Sequence, residues 1–305
     1  MKRVLVTGVT GFIGRVVAET FAGRGYQVFG IGTRPPENAH LSDLSGYSPL
    51  RLPSAGLAEC VKVCQPDVCV HCAGRASVEL SMGDPMEDFD TSVPVTFNIL
   101  ETLKKHAPSC HFILISSAAV YGNAPHLPID ESQAPDPLSP YGFHKLICEL
   151  LCREFTSIYG LKTSAARIFS TYGPGLRRQV LWDICRKILR ERALRLKGTG
   201  LESRDFIHVR DVGRAITLIA ERAPGAGESY NLASGEETTI RHLAELALER
   251  LHVALSIEFD GIVPAGTPRN WRADIGLLEG LGYAPYVSLE EGIDAYVNWI
   301  KAELG

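Results

Sequence analysis

The run Arg3–Thr7 is apolar and β-branched, and it feeds directly into Gly8-Val9-Thr10-Gly11-Phe12-Ile13-Gly14. Apolar residues then recur at helical spacing through Ile13, Val16, Val17, Thr20 and Phe21, so the segment reads as strand, glycine turn and helix. Glycines let the backbone turn tightly and approach a ligand closely. The uncovered amides of a helix start carry partial positive charge, which suits a pyrophosphate. A dinucleotide is the ligand this arrangement predicts, bound through Gly8, Gly11, Phe12, Ile13 and Gly14.

Four more strand-like runs follow with helical patterns between them: Tyr26–Ile31, Asp67–Cys72, His111–Ser116 and Thr163–Phe169. Such alternation predicts an α/β fold, a Rossmann-like doubly wound parallel sheet. Ligands of that fold bind beyond the carboxyl ends of the strands. The residues placed there are Gly8, Arg34, Ala73 with Gly74, Ser117 and Ser170. Residues 1–169 therefore read as the dinucleotide-binding domain. From residue 170 to 305 the chain is richer in arginine and in turn signals, and reads as a smaller mixed α/β substrate-binding region. Within it, the helical 212–220 stretch and the strand-like Ser229–Ala233 read as returning to the main sheet.

Tyr141 and Lys145 sit four apart in a segment whose apolar positions, Leu146, Ile147, Leu150, Leu151 and Phe155, have helical spacing. Pro140 suits the first position of that helix, and Ser139 its cap. An ammonium close to a phenol favours phenolate, which would make the tyrosine usable in proton transfer. The stretch before it, from Ala124 to Pro140, contains Pro125, Pro128, Pro135 and Pro137 and reads as a rigid loop.

Composition narrows the partners. The 305 residues are 45% hydrophobic with a formal charge of −4, and no basic stripe with interleaved aromatics appears, which argues against nucleic acid and anionic membranes. No apolar run approaches the ~20 residues of a membrane-spanning helix, and a cytoplasmic location is expected. The eight cysteines form no convincing metal set. Cys69 and Cys72 face opposite ways on a strand, while Cys60/Cys64 and Cys148/Cys152 lack further ligands. They read as small hydrophobes in a reducing compartment.

Several motifs in order resemble the extended short-chain dehydrogenase/reductase family, in its nucleotide-sugar epimerase/dehydratase branch. They are the loop Thr7–Gly14, Ser116-Ser117-Ala118-Ala119-Val120-Tyr121-Gly122, Tyr141 with Lys145, Arg204-Asp205-Phe206-Ile207-His208-Val209 with Asp211, and Tyr230–Gly235. The resemblance implies Ser117, Tyr141 and Lys145 as catalytic residues. Ser117 would bind the reacting oxygen, Tyr141 would act as acid/base, and Lys145 would hold the cofactor ribose. It also implies Arg204 and Ser170 as substrate contacts, with Arg177, Arg178 and Arg272 as weaker diphosphate candidates. A homodimer is usual in this family.

Four departures refine the expectation. The acid that usually ends the second strand and binds the ribose of NAD is absent from Gly30-Ile31-Gly32-Thr33-Arg34, and Arg34 tips the cofactor choice from NAD toward NADP. Ala118 and Ala119 stand where 4,6-dehydratases carry an Asp-Glu pair, so elimination of water is disfavoured. Ser170 replaces an asparagine at the sugar diphosphate. Near the adenine, Ser92 replaces another asparagine, and Leu52-Pro53-Ser54 replaces an acidic residue. The expected activity is C4 epimerisation of a nucleotide sugar by transient hydride transfer. An NADPH-dependent 4-ketoreductase is the alternative, and a non-catalytic NAD(P)-sensing protein a third reading.

Overall fold

The computed structural model describes residues 1–35, 44–263 and 266–304. The elements in chain order are β1 (Arg3–Thr7), α1 (Phe12–Gly23), β2 (Gln27–Gly32), β3 (Gly46–Pro49), α2 (Leu57–Cys64), β4 (Val68–His71), α3 (Val78–Gly83), α4 (Pro85–Asp90), α5 (Val93–His106), β5 (His111–Ser117), α6 (Pro140–Tyr159) and β6 (Thr163–Ile168). There follow β7 (Ser170–Tyr172), α7 (Gln179–Arg190), β8 (Leu194–Leu196), β9 (Ser203–Arg204), β10 (Phe206–His208), α8 (Val209–Arg222), β11 (Ala226–Leu232), β12 (Thr238–Thr239), α9 (Ile240–Leu251), β13 (Ile257–Phe259), α10 (Gly276–Gly280) and α11 (Leu289–Leu304).

Seven strands form the main sheet in the order β11-β6-β5-β4-β1-β2-β3, with every neighbouring pair parallel. The order reverses at β1, which is where a doubly wound sheet opens its ligand crevice. Alternation along each strand feeds two cores. Val4, Val6, Ile113 and Ile115 pack with α1 and α8 on one face; Leu5, Phe112 and Leu114 pack with α2, α5 and α6 on the other. Gly213 lets α8 lie against α1, since a methyl group there would come within 2.5 Å of the Thr20 hydroxyl.

The expected return of the chain to the sheet is seen in α8 and β11, the latter pairing β6 from Thr163 to Ile168. β3 was not legible, because Gly46-Tyr47-Ser48-Pro49 is short and ends in proline, a residue tolerated on an edge strand. A third core joins α7, α9, α11 and β8, and a fourth, smaller one gathers Ala118, Ala119, Tyr141, Phe169 and Trp271 beside the end of β5. The loop from Ala124 to Ser139 crosses to the C-terminal part, where Ile129 pairs with Ala273. Among the described residues no helix is long and apolar enough to cross a membrane, and no cluster of side chains suits a metal. All eight cysteines are free thiols.

Candidate active site

The glycine loop has the shape its sequence predicts. Gly8 has φ +69°, and a Cβ there would lie 2.7 Å from the Ala73 amide nitrogen, so Ala73 sits directly beside the loop. At Gly14 a Cβ would lie 2.2 Å from the Gly8 carbonyl oxygen. Glycine is obligatory at both. The helix start at Gly11 has no side-chain cap, which leaves it open to an anionic ligand. The cradle therefore fits the pyrophosphate of a dinucleotide. Thr7 holds its far wall: its hydroxyl is 2.7 Å from His71 Nδ1, and the Ala73 amide donates to the same oxygen at 3.4 Å. Burial, and then the nearby Lys145 charge, push the His71 ring down to about pH 3, so it stays neutral in the site.

Tyr141 and Lys145 lie on α6 as expected. Ser139 caps the helix by accepting from the Gly142 amide, and Pro140 occupies its first turn. Both side chains are buried, with the Lys145 ammonium 5.8 Å from the Tyr141 ring centre. Lys145 also donates to the Ile115 carbonyl at 2.8 Å, two residues before Ser117 on β5. Ser117 ends that strand, partly exposed, and accepts from the Ala119 amide as it caps a single 3₁₀ turn at Ala118–Val120. The turn and α6 touch closely: a Cβ at Gly142 would lie 2.6 Å from the Ala119 carbonyl oxygen. Ser117, Tyr141 and Lys145 thus converge at the carboxyl end of β5, close to the glycine cradle.

The other anticipated residues divide. Ser170 opens β7, with its amide donating to the Asp205 carbonyl, and Arg204 is on β9. The Arg204 guanidinium lies 5.4 Å from the Trp271 ring centre and donates to the Ser203 and Arg269 carbonyls. No carboxylate among the described residues pairs with it, and burial lowers its pKa to about 10. A half-buried guanidinium held only by neutral oxygens suits a phosphate. Arg177 instead makes a surface pair with Glu303 at 2.8 Å. Asp211 is buried and accepts from Arg214, Tyr286 and Val287, which makes it a fastener for the C-terminal segment. Asn231 is fully buried, bridging Tyr121 to the Ile129 and Asp274 carbonyls.

The profile of the NAD dependent epimerase/dehydratase family matches residues 4–233. The chain belongs to this family. A UDP-glucuronate 4-epimerase of Thermodesulfobacterium geofontis is 30% identical over 326 residues, covering all of this chain and 98% of the relative. A GDP-6-deoxy-D-mannose reductase of Pseudomonas aeruginosa is 32% identical over 246 residues, 76% of this chain and 80% of the relative. Among solved structures, MoeE5 in complex with UDP-glucose and NAD superposes with a TM-score of 0.90 at 28% identity, covering 99% of this chain and all of that one. This member of the family is therefore an enzyme built for nicotinamide-dinucleotide chemistry. The lean toward NADP drawn from Arg34 finds no support in a neighbour that holds NAD. Arg34 itself is exposed, and its carbonyl accepts from the Tyr47 phenol at 2.6 Å.

Two features escaped the sequence. Ser81 on α3 accepts from the Tyr141 amide at 3.2 Å, fixing the start of the helix that carries the acid/base candidate. On the same helix, Glu149 accepts from Ser116 at 2.6 Å and from Arg167 at 2.7 Å, and Arg167 donates to Tyr121 at 2.8 Å. Glu149 lies four residues after Lys145, so one turn of spacing was the available signal.

Proposed function

We propose that the enzyme is a UDP-sugar 4-epimerase that works with NAD. The observation that carries this reading is the convergence of Ser117, Tyr141 and Lys145 at the end of β5, with Ala118 and Ala119 beside them in place of carboxylates. A nicotinamide dinucleotide held by the Gly8–Gly14 cradle and Lys145 would supply reversible hydride acceptance at C4 of the sugar. Tyr141 takes the proton from the C4 hydroxyl and later gives it back, while Ser117 hydrogen-bonds the same oxygen through both states. Lys145 holds its ammonium 5.8 Å from the Tyr141 ring and ties α6 to β5 through the Ile115 carbonyl. The alanines offer no acid or base to remove water, so the 4-keto sugar is reduced again. Arg204 grips the diphosphate, leaving the sugar ring free to present its other face. The sugar nucleotide lies between the sheet and the region from residue 170 onward.

The similarity to relatives that act on UDP-sugars supports the choice of substrate. The test is to incubate purified protein with UDP-glucose or UDP-glucuronate, without added reductant, and separate the products. Interconversion of the C4 epimers is expected; a strict demand for stoichiometric reductant overturns the reading. The reductase reading keeps one support, the similarity to the GDP-6-deoxy-D-mannose reductase, and predicts NADPH oxidation only when a 4-keto sugar is present.

The assembly proposed is a homodimer through α5 and α6, where Phe97, Leu150 and Ile158 are 45%, 52% and 70% exposed. Light scattering that gives a monomer mass removes it. The free cysteines fit a cytoplasmic location.

A further inference from the structure

The carboxyl end of β2 lacks more than an acid. Gly32 is its last residue, and a Cβ built there would lie 2.9 Å from the Tyr47 hydroxyl and 3.0 Å from the Thr10 hydroxyl. Tyr47 comes from β3, the neighbouring strand, where Gly30 pairs with it in register. Its phenol thus fills the space in which a side chain leaving the end of β2 would begin. Thr10 belongs to the glycine cradle itself. In dinucleotide-binding sheets this spot faces the adenosine ribose, and a carboxylate there binds the ribose hydroxyls and repels a 2′-phosphate.

Here the spot holds two neutral hydroxyls. Among the described residues from Gly30 to Pro35 and from Leu44 to Arg51 there is no carboxylate, whereas Arg34 and Arg51 are cations. The phenol donates to the Arg34 carbonyl, which pins the chain as it leaves the strand. Burial raises the Tyr47 pKa against the opposing influence of Arg34, so the hydroxyl stays a neutral donor.

We propose that Tyr47, together with Thr10, replaces the strand-end acid as the residue that reads the cofactor's adenosine ribose, so that the site admits NADP(H) as well as NAD(H). This rests on the reading above only in that a nicotinamide dinucleotide lies in the cradle. The consequence is a cofactor site whose selectivity is set by a residue from the adjacent strand. A larger residue at Gly32 would displace the phenol from this spot.

The test is direct binding of NADH and NADPH to the full-length protein freed of nucleotide, read by energy transfer to the reduced nicotinamide. NADPH is expected to bind within about tenfold of NADH, because no carboxylate among the described residues at the end of β2 opposes the 2′-phosphate. Tyr47→Phe should weaken both by roughly three- to tenfold with their ratio unchanged, the loss of one hydrogen bond. The double variant Gly32→Asp/Tyr47→Ala makes room for an acid and should shift the ratio against NADPH by about ten- to a hundredfold. Discrimination above about a hundredfold by the unaltered protein, or wild-type affinities in Tyr47→Phe, overturns the proposal. Thermal denaturation checks that each variant is folded, and the conservative Tyr47→Phe decides alone if the double variant is not. A protein that binds both dinucleotides yet interconverts no UDP-sugars leaves this inference standing and overturns the epimerase reading alone.

Discussion

Lys145 donates to the Ile115 carbonyl at 2.8 Å, so α6 is fastened to β5 two residues before Ser117. The same ammonium stands 5.8 Å from the Tyr141 ring. One buried cation therefore ties together the two elements that carry the proposed reacting hydroxyls of Ser117 and Tyr141.

Removing either partner should affect chemistry more than binding. Tyr141→Phe loses the group proposed to exchange the proton, and kcat for epimerisation should fall by about 10²- to 10⁴-fold with KM within about threefold. Lys145→Met should lose activity to a similar degree and also weaken retention of the dinucleotide. Steady-state kinetics and the nucleotide released on denaturation check both. A Tyr141→Phe enzyme at wild-type speed would remove the phenol from the mechanism.

Gly142 follows Tyr141 and meets the Ala119 carbonyl across a gap with no room for a methyl group, its Cβ position being 2.6 Å from that oxygen. Gly142→Ala must push α6 away from the 3₁₀ turn after Ser117. Helix propensity favours the alanine by about 0.5–1 kcal/mol, but overpacking costs about 1–3 kcal/mol, so net destabilisation is expected. Chemical denaturation measures the sign, and a more stable variant would contradict the close contact.

Arg204→Lys keeps the charge but loses the fork that matches two phosphate oxygens. UDP should then bind about ten- to a hundredfold more weakly, measured by calorimetry. Unchanged affinity takes Arg204 off the diphosphate and leaves it as a stacking partner of Trp271.

The fold was legible because strand and helix periods alternate cleanly from Arg3 to Phe169, and because the glycine loop comes where a strand hands over to a helix. Ser139, Pro140, Tyr141 and Lys145 were readable for the same reason: caps and i, i+4 neighbours are local. What was hidden depends on strand neighbours far apart in sequence. Tyr47 reaches Gly32 only because β3 pairs with β2, and β3 has too little strand character to announce itself. Glu149 and Arg167 meet only through the packing of α6 on β6, and Arg204 acquires Trp271 from a segment 67 positions later. Arg34 is a separate case, since its residue type points to a phosphate while the neighbouring structure with NAD gives that preference no support.

The ion pair of Glu149 with Arg167 is buried on both sides, with side chains 2% and 1% exposed. Arg167→Met leaves the Glu149 carboxylate of α6 buried without its cation, and such a break typically costs about 3–5 kcal/mol. The double variant Glu149→Leu/Arg167→Met removes both charges and should recover much of that loss. Urea denaturation of the two proteins decides it, since equal losses would mean that the pair's charge is not what matters.

Acid should destabilise the protein through His71. In the unfolded chain this ring takes a proton near pH ~6.5, but in the folded protein burial and Lys145 hold it neutral down to about pH 3. Between those values the unfolded state binds more protons, so stability rises with pH. The contribution is complete above about pH 6.5 and is lost as pH falls toward 3, at up to ~1.4 kcal/mol per pH unit for one ring. His111, held down to about 4 mainly by burial, adds to the same slope over the upper part of the window. His71→Asn keeps a polar partner for Thr7, which His71 Nδ1 meets at 2.7 Å, but removes the titration. Its urea midpoint should therefore fall less steeply than that of the unaltered protein between pH 7 and pH 5. Parallel slopes in the two proteins would show that His71 takes up its proton at the same pH in the folded protein as in the unfolded chain.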